Sequence, residues 1–171
     1  MDDKQFAVLR AMNTITHSTD MDEFLRIVGL SFAELVETLK ELAKEGFVTK
    51  TGKGYAIAEK GRLACTVFAM LPEDKAFHFY SGLDQPAGVS ARSIKEFFDI
   101  VETVAENSLE FHLERGDFEN WFESAVKDDV FASELAALRQ EGLKGEALRK
   151  QILLSLQARF GEDMLRREWT A

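Results

Sequence analysis

The chain has 171 residues, 46% of them hydrophobic and only two of them proline, with a formal net charge of −9 at pH 7. That balance excludes a disordered or proline-rich chain, and the length admits one large domain or two small ones that bury a core without metal or disulfide staples. Cys65 is the single cysteine, so no internal disulfide can form, and neither a secretory leader nor an apolar run of bilayer length is found, which makes a cytoplasmic location without membrane contact the expectation.

In chain order, Phe6, Val8, Leu9, Met12 and Ile15 recur at helical spacing over residues 4–16, and the polar run His17-Ser18-Thr19-Asp20 stops that helix. Asp20 caps a short second helix carrying Met21, Phe24, Leu25 and Val28, which ends at Gly29, a residue that accepts the left-handed backbone of a turn. Ser31 opens a third helix with Glu34 three positions on, a capping box that satisfies two otherwise unpaired backbone donors. Phe32, Leu35, Val36, Leu39, Leu42 and Ala43 form its apolar stripe; Glu34, Glu37, Thr38, Lys40, Glu41 and Lys44 take the other face, and Gly46 supplies the stop. Phe47–Lys50 and Tyr55–Ala58 then read as short strands around Thr51-Gly52-Lys53-Gly54, and Glu59-Lys60-Gly61-Arg62 leads into one more helix.

Helix, helix, glycine turn, capped helix and small basic hairpin is the order of a winged helix-turn-helix. Leu39-Lys40-Glu41-Leu42-Ala43-Lys44-Glu45-Gly46-Phe47-Val48, followed by Tyr55-Ala56-Ile57-Ala58-Glu59-Lys60-Gly61-Arg62, resembles winged-helix transcriptional regulators of the MarR and PadR kind. The resemblance implies three helices plus a two-stranded wing over residues 1–72, with the third helix in the major groove and the wing on the phosphate backbone. Carried onto this chain, the DNA contacts would fall to Ala33, Glu34, Glu37, Thr38, Lys40 and Lys44 on the third helix and to Lys50, Lys53, Lys60 and Arg62 around the hairpin.

The chain departs from that pattern where Glu34, Glu37 and Glu41 stand in place of the usual Ser, Thr, Arg or Gln. Carboxylates facing phosphates are repelled, and although one Glu can accept from a cytosine amino group, three along one face without an arginine are unusual for a tight binder. Two functions therefore stay open: a regulator that binds double-stranded DNA and carries a helical sensing or assembly domain, and a non-enzymatic protein-interaction scaffold that keeps the winged-helix fold without binding DNA. Through Arg62 the chain has nine basic and ten acidic residues, and after it twelve and twenty. The excess acidity of the second module argues against nucleic acid there and suits a protein partner.

An all-helical domain is predicted for residues 73–171. Asp74–Tyr80 alternates as an extended segment, and Ser81-Gly82 through Pro86-Ala87-Gly88 reads as a loop. Ser93 with Glu96 caps a helix whose stripe is Ile94, Phe97, Phe98, Val101 and Val104, and further helices are expected over 106–114, from 118 onward, over 129–141 and over 145–160. Gly116 stops one of them and Asp117 caps the next, so Arg115-Gly116-Asp117 reads as a corner. Phe77-His78-Phe79-Tyr80-Ser81-Gly82, Ser93-Ile94-Lys95-Glu96-Phe97, Ser108-Leu109-Glu110-Phe111-His112-Leu113, Arg115-Gly116-Asp117-Phe118-Glu119-Asn120-Trp121 and Lys144-Gly145-Glu146-Ala147-Leu148-Arg149 resemble a prokaryotic family of unknown function, which implies no activity.

His112 sits among Glu110, Glu114, Arg115 and Asp117, but helical spacing does not converge these groups on a metal, and a structural histidine bracing the corner is the preferred reading. Phe97, Phe98, Phe111, Phe118, Trp121, Phe122 and Phe131 could line an effector pocket, although their periodicity fits core packing better. No phosphate loop, nucleotide fingerprint, zinc spacing or paired nucleophile is present, so neither catalytic residue, metal nor cofactor is predicted, and Cys65 reads as a buried small hydrophobe. Leu63, Val67, Phe68, Met70 and Leu71 make the helix after the hairpin more apolar than a connector needs, which predicts a homodimer through that helix.

Overall fold

The computed structural model describes residues 1–15, 20–52 and 54–168; the polar stop His17-Ser18-Thr19 and the wing residue Lys53 lie outside them. The chain is mainly helical, with two separate two-stranded antiparallel sheets among the described residues. It divides into two compact units, Met1–Thr66 with Arg166–Ala171 and Val67–Leu165, against a sequence boundary placed at 72/73. Among the described residues no helix is long and apolar enough to cross a membrane.

In the first unit every early helix starts at a side-chain cap. Asp2 accepts from the Gln5 backbone N–H and opens α1 (Asp3–Thr14), Asp20 does so for Glu23 and opens α2 (Met21–Val28), and Ser31 for Glu34 at the start of α3 (Phe32–Lys44). Gly29 ends α2 at φ 69°, a left-handed conformation that costs glycine nothing. The core is Val8, Leu9 and Ala11 of α1 with Val28, Leu35 and Leu42. Phe32, assigned to the apolar stripe by its spacing, is instead exposed: in the first turn the Cα–Cβ bond tilts toward the helix N-terminus and carries the ring off the end of the stripe.

The hairpin pairs β1 (Val48–Thr51) with β2 (Gly54–Ile57), setting Val48 opposite Ile57 and Lys50 opposite Tyr55. The next helix, α4 (Glu59–Val67), approaches it so closely that a Cβ on Gly61 would lie 2.3 Å from the Phe47 carbonyl oxygen and 2.8 Å from Ile57 Cγ1. The chain end closes this unit: Arg167 donates to Glu45 at 2.6 Å with its guanidinium 4.8 Å from the Phe47 ring centroid, and the Met1 ammonium donates to the Glu168 carbonyl. Of the side chains expected to form a dimer stripe, Val67 and Phe68 are buried within the single chain and only Met70 is largely exposed.

The second unit is not all-helical. It opens on a β-hairpin, β3 (Phe77–Gly82) with β4 (Gln85–Ala91), where a loop was expected over residues 81–88. Pro86 and Gly88 argue against a central strand, but β4 lies at the edge of a two-stranded sheet, where proline needs no partner and two register shifts absorb the irregularity. Then follow α5 (Ile94–Thr103), α6 (Glu106–Arg115), α7 (Asp117–Trp121) continued by a π-helical turn over Phe122–Val126, α8 (Asp129–Gln140), α9 (Gly145–Phe160) and α10 (Glu162–Leu165).

Aromatic rings fill this unit's centre. The Phe97 ring stacks on Trp121 at 5.3 Å between centroids and meets Phe118 edge-on at 5.2 Å, while Phe122 meets Phe131 at 4.6 Å. Polar cross-links tie helix ends to neighbours: Arg149 donates to the carbonyls of Val101 and Val104 at the end of α5, and Glu110 accepts from the Gly145 N–H at the start of α9.

Candidate interaction face on the third helix

Helical phase decides what α3 offers to the outside. Leu35, Thr38 and Leu42, spaced by three and four, are buried, which leaves Ala33, Glu34, Glu37, Lys40, Glu41 and Lys44 outward. Thr38 is only 5% exposed, so it is no candidate for base contact; its place three residues after Leu35 and four before Leu42 puts it on the covered side.

The carboxylates on this face have partners that sequence spacing did not reveal. Glu34 accepts from Lys4 Nζ at 2.8 Å and from the Ser31 backbone N–H and hydroxyl at 2.9 and 2.7 Å. The Lys4 bond, followed by those from Ser31, holds its carboxyl down to about 2, so it is ionised and committed. Glu37 accepts from Lys40 at 2.8 Å, which raises the Lys40 ammonium above its ordinary range, and Glu41 accepts from Gln5 Nε2 at 3.3 Å. Asp2, Lys4, Ala33, Glu34, Glu37, Thr38 and Glu41 together line a groove of about 400 Å³ along the flank of α1 and α3. Lys4 is the one cation among those seven residues, so the groove is acidic.

The predicted phosphate contacts separate into different places. Lys44, Lys50 and Arg62 are exposed and show no ion pair among the described residues. Lys60 donates to the Glu45 carbonyl at 3.0 Å and lies 4.7 Å from the Phe47 ring centroid, so it serves the C-terminal end of α3. Sequence reasoning missed the apolar component: Met21, Ile27 and Phe32, all at least half exposed, fall within twelve residues of the α2–turn–α3 segment. Met21 and Phe32 each follow a capping residue directly, and that position in the first turn was the available signal.

The second unit holds a different polar cluster. His112 is 3% exposed; its Nε2 accepts from the Tyr80 backbone N–H at 2.8 Å, which leaves the proton on Nδ1, 2.8 Å from Asp117 Oδ2. Burial pushes the imidazole below its ordinary range, only partly offset by the Asp117 hydrogen bond. Both ring nitrogens are thus engaged, and neither is free to bind a metal or accept a substrate proton. Asp117 does not cap α7 as its spacing suggested: Gly116, at φ 74°, holds the cap position and the Asp117 carboxylate faces His112 and Arg115 instead.

An open cleft of about 430 Å³ adjoins this cluster, walled by Phe77, Tyr80, Leu83 and Phe111 with Arg115 and Asp117 at its polar side. Phe111 is the one residue of the expected aromatic pocket found there; Phe97, Phe98, Phe118, Trp121, Phe122 and Phe131 are core. Cys65 is held protonated by burial, its thiol pushed up to about 11, and no group of three or more His, Cys, Asp or Glu among the described residues is placed to hold a metal. Comparison of the chain with protein-family models, with curated proteins and with solved structures gives no match.

Proposed function

We propose that residues 1–66 form a winged-helix module that works through a protein contact and not through DNA, and that the chain is a non-enzymatic interaction scaffold. The observation that carries this reading is the outward face of α3, where Glu34, Glu37 and Glu41 border an acidic groove. A duplex presents a dense row of negative charges, and a face that approaches it must supply cations to replace the counterions released. An acidic face repels a duplex and suits a protein surface that carries cations.

A second reading, a DNA-binding transcriptional regulator whose helical second unit senses or assembles, draws on one observation: Lys44, Lys50 and Arg62 are exposed and unpaired among the described residues. Fluorescence anisotropy with duplex DNA, at low and at physiological salt, separates the two. Protein contact predicts no saturable binding at either salt. Saturable, salt-sensitive binding that is lost in the combined Lys44→Ala and Lys50→Ala variant would establish the regulator and refute the scaffold.

A further inference from the structure

In the later part of α3 the charges run Glu37, Lys40, Glu41 and Lys44, so that each sign mirrors its opposite about the point between Lys40 and Glu41. Glu34, Glu37 and Glu41 border the groove, and Lys44 is the last residue of the helix. A surface patch that meets its own copy across a two-fold axis must carry its own complement, with residue i on residue j and j on i. This face has that property.

We infer that the partner of this face is a second copy of the same chain, seated with the two α3 helices antiparallel across a two-fold axis. The inference rests on the protein-contact reading above. An axis passing midway between Lys40 and Glu41 sets Glu37 opposite the partner's Lys44 and Lys40 opposite the partner's Glu41, so that the exposed Lys40–Glu37 pair within each chain is exchanged for two pairs across the axis. Glu37 and Lys44 are seven residues apart, about two turns, so they lie on one stripe and meet together. The partner's Lys44 then stands at the rim of the acidic groove that Glu37 borders. The contact is between charged groups exposed in one chain, whose pairs each contribute little in water, so the dimer is weak, reversible and salt-sensitive.

Sedimentation velocity of the full chain over a concentration series, at low and high salt, reads the pairing. The expected result is a concentration-dependent dimer that dissociates as salt rises. Glu37→Lys with Glu41→Lys leaves the paired stretch from residue 37 to 44 with cations only, and Lys40→Glu with Lys44→Glu leaves it with carboxylates only; each variant alone should weaken self-association about tenfold or more. Mixed in equal amounts, the two should form a heterodimer, because every cross-contact then joins opposite charges again. Lys44 has no ion pair within the chain among the described residues and Lys40 only its exposed pair with Glu37, so the second variant keeps the fold, which circular dichroism checks.

A monomeric parent at every concentration, a dimer indifferent to both reversals, or a mixture that associates no better than either variant would overturn the pairing. A monomer that also ignores DNA overturns the pairing alone and leaves the protein-contact reading standing. DNA binding through Lys44 and Lys50 removes that reading itself.

Discussion

Removing the Asp117 carboxylate tests whether the Arg115-Gly116-Asp117 corner is a structural brace. Asp117→Ala deletes the acceptor for the His112 Nδ1–H and for the Arg115 Nε–H, at 2.8 and 3.1 Å. His112 cannot turn to find another partner, since its Nε2 is held by the Tyr80 N–H and its ring packs 4.8 Å from Phe77. A buried donor left without a partner costs about 1–3 kcal/mol. The Asp117 side chain is 27% exposed, so water partly replaces it, and a loss of about 1–2 kcal/mol is expected. For a unit of this size each kcal/mol moves the melting temperature by about 4–8 °C, so Asp117→Ala should melt roughly 10 °C lower. Asp117→Asn keeps an amide oxygen facing Nδ1–H and should recover most of the difference. Differential scanning calorimetry with urea unfolding by near-UV circular dichroism measures both variants. An Asp117→Ala protein as stable as the parent, or an Asp117→Asn protein as damaged as the alanine variant, would show that the His112 bond does not brace the corner.

Two further outcomes follow from the same packing. Gly61→Ala drives a methyl into the Phe47 carbonyl oxygen, a backbone atom that cannot swing aside, and should cost about 3 kcal/mol or more in the first unit; Gly52→Ala, which meets nothing within 4 Å, should be near neutral in the same thermal melt. Burial holds the His112 imidazole below its ordinary range in the folded chain, whereas the unfolded imidazole takes a proton at about 6.5, so the unfolded state binds more protons just below that pH. The histidine's contribution is therefore complete above about pH 6.5 and is lost as pH falls toward the depressed folded value. Urea unfolding over that window should show a slope that His112→Gln flattens, and an unchanged slope in the variant would mean that burial of His112 is not its source.

Much of the backbone was legible because its signals are local. Ser31 with Glu34, Asp20 before Met21, and Gly29 and Gly116 as left-handed stops each involve residues within one turn, and the structure places each of these in its role. What failed needed knowledge of tertiary surroundings. Pro86 and Gly88 suppressed the strand reading of Gln85–Ala91, since only its place at a sheet edge tolerates them. Thr38 looked polar and outward, yet the phase it shares with Leu35 and Leu42 buries it.

The same limit explains why the character of the third helix could not be read from its composition. Counting side chains, Lys40 partly compensates Glu37 and Glu41; in the fold it is spent on Glu37, while Lys4, thirty residues from Glu34, is spent on that carboxylate. Lys60, counted as a wing cation, is taken by the carbonyl end of α3. Two of the cations credited to a nucleic-acid surface, Lys40 and Lys60, are thus already engaged, and Lys44, Lys50 and Arg62 are those that remain among the described residues. A duplex laid along α3 would face the carboxylates of Glu34, Glu37 and Glu41, which its phosphates repel.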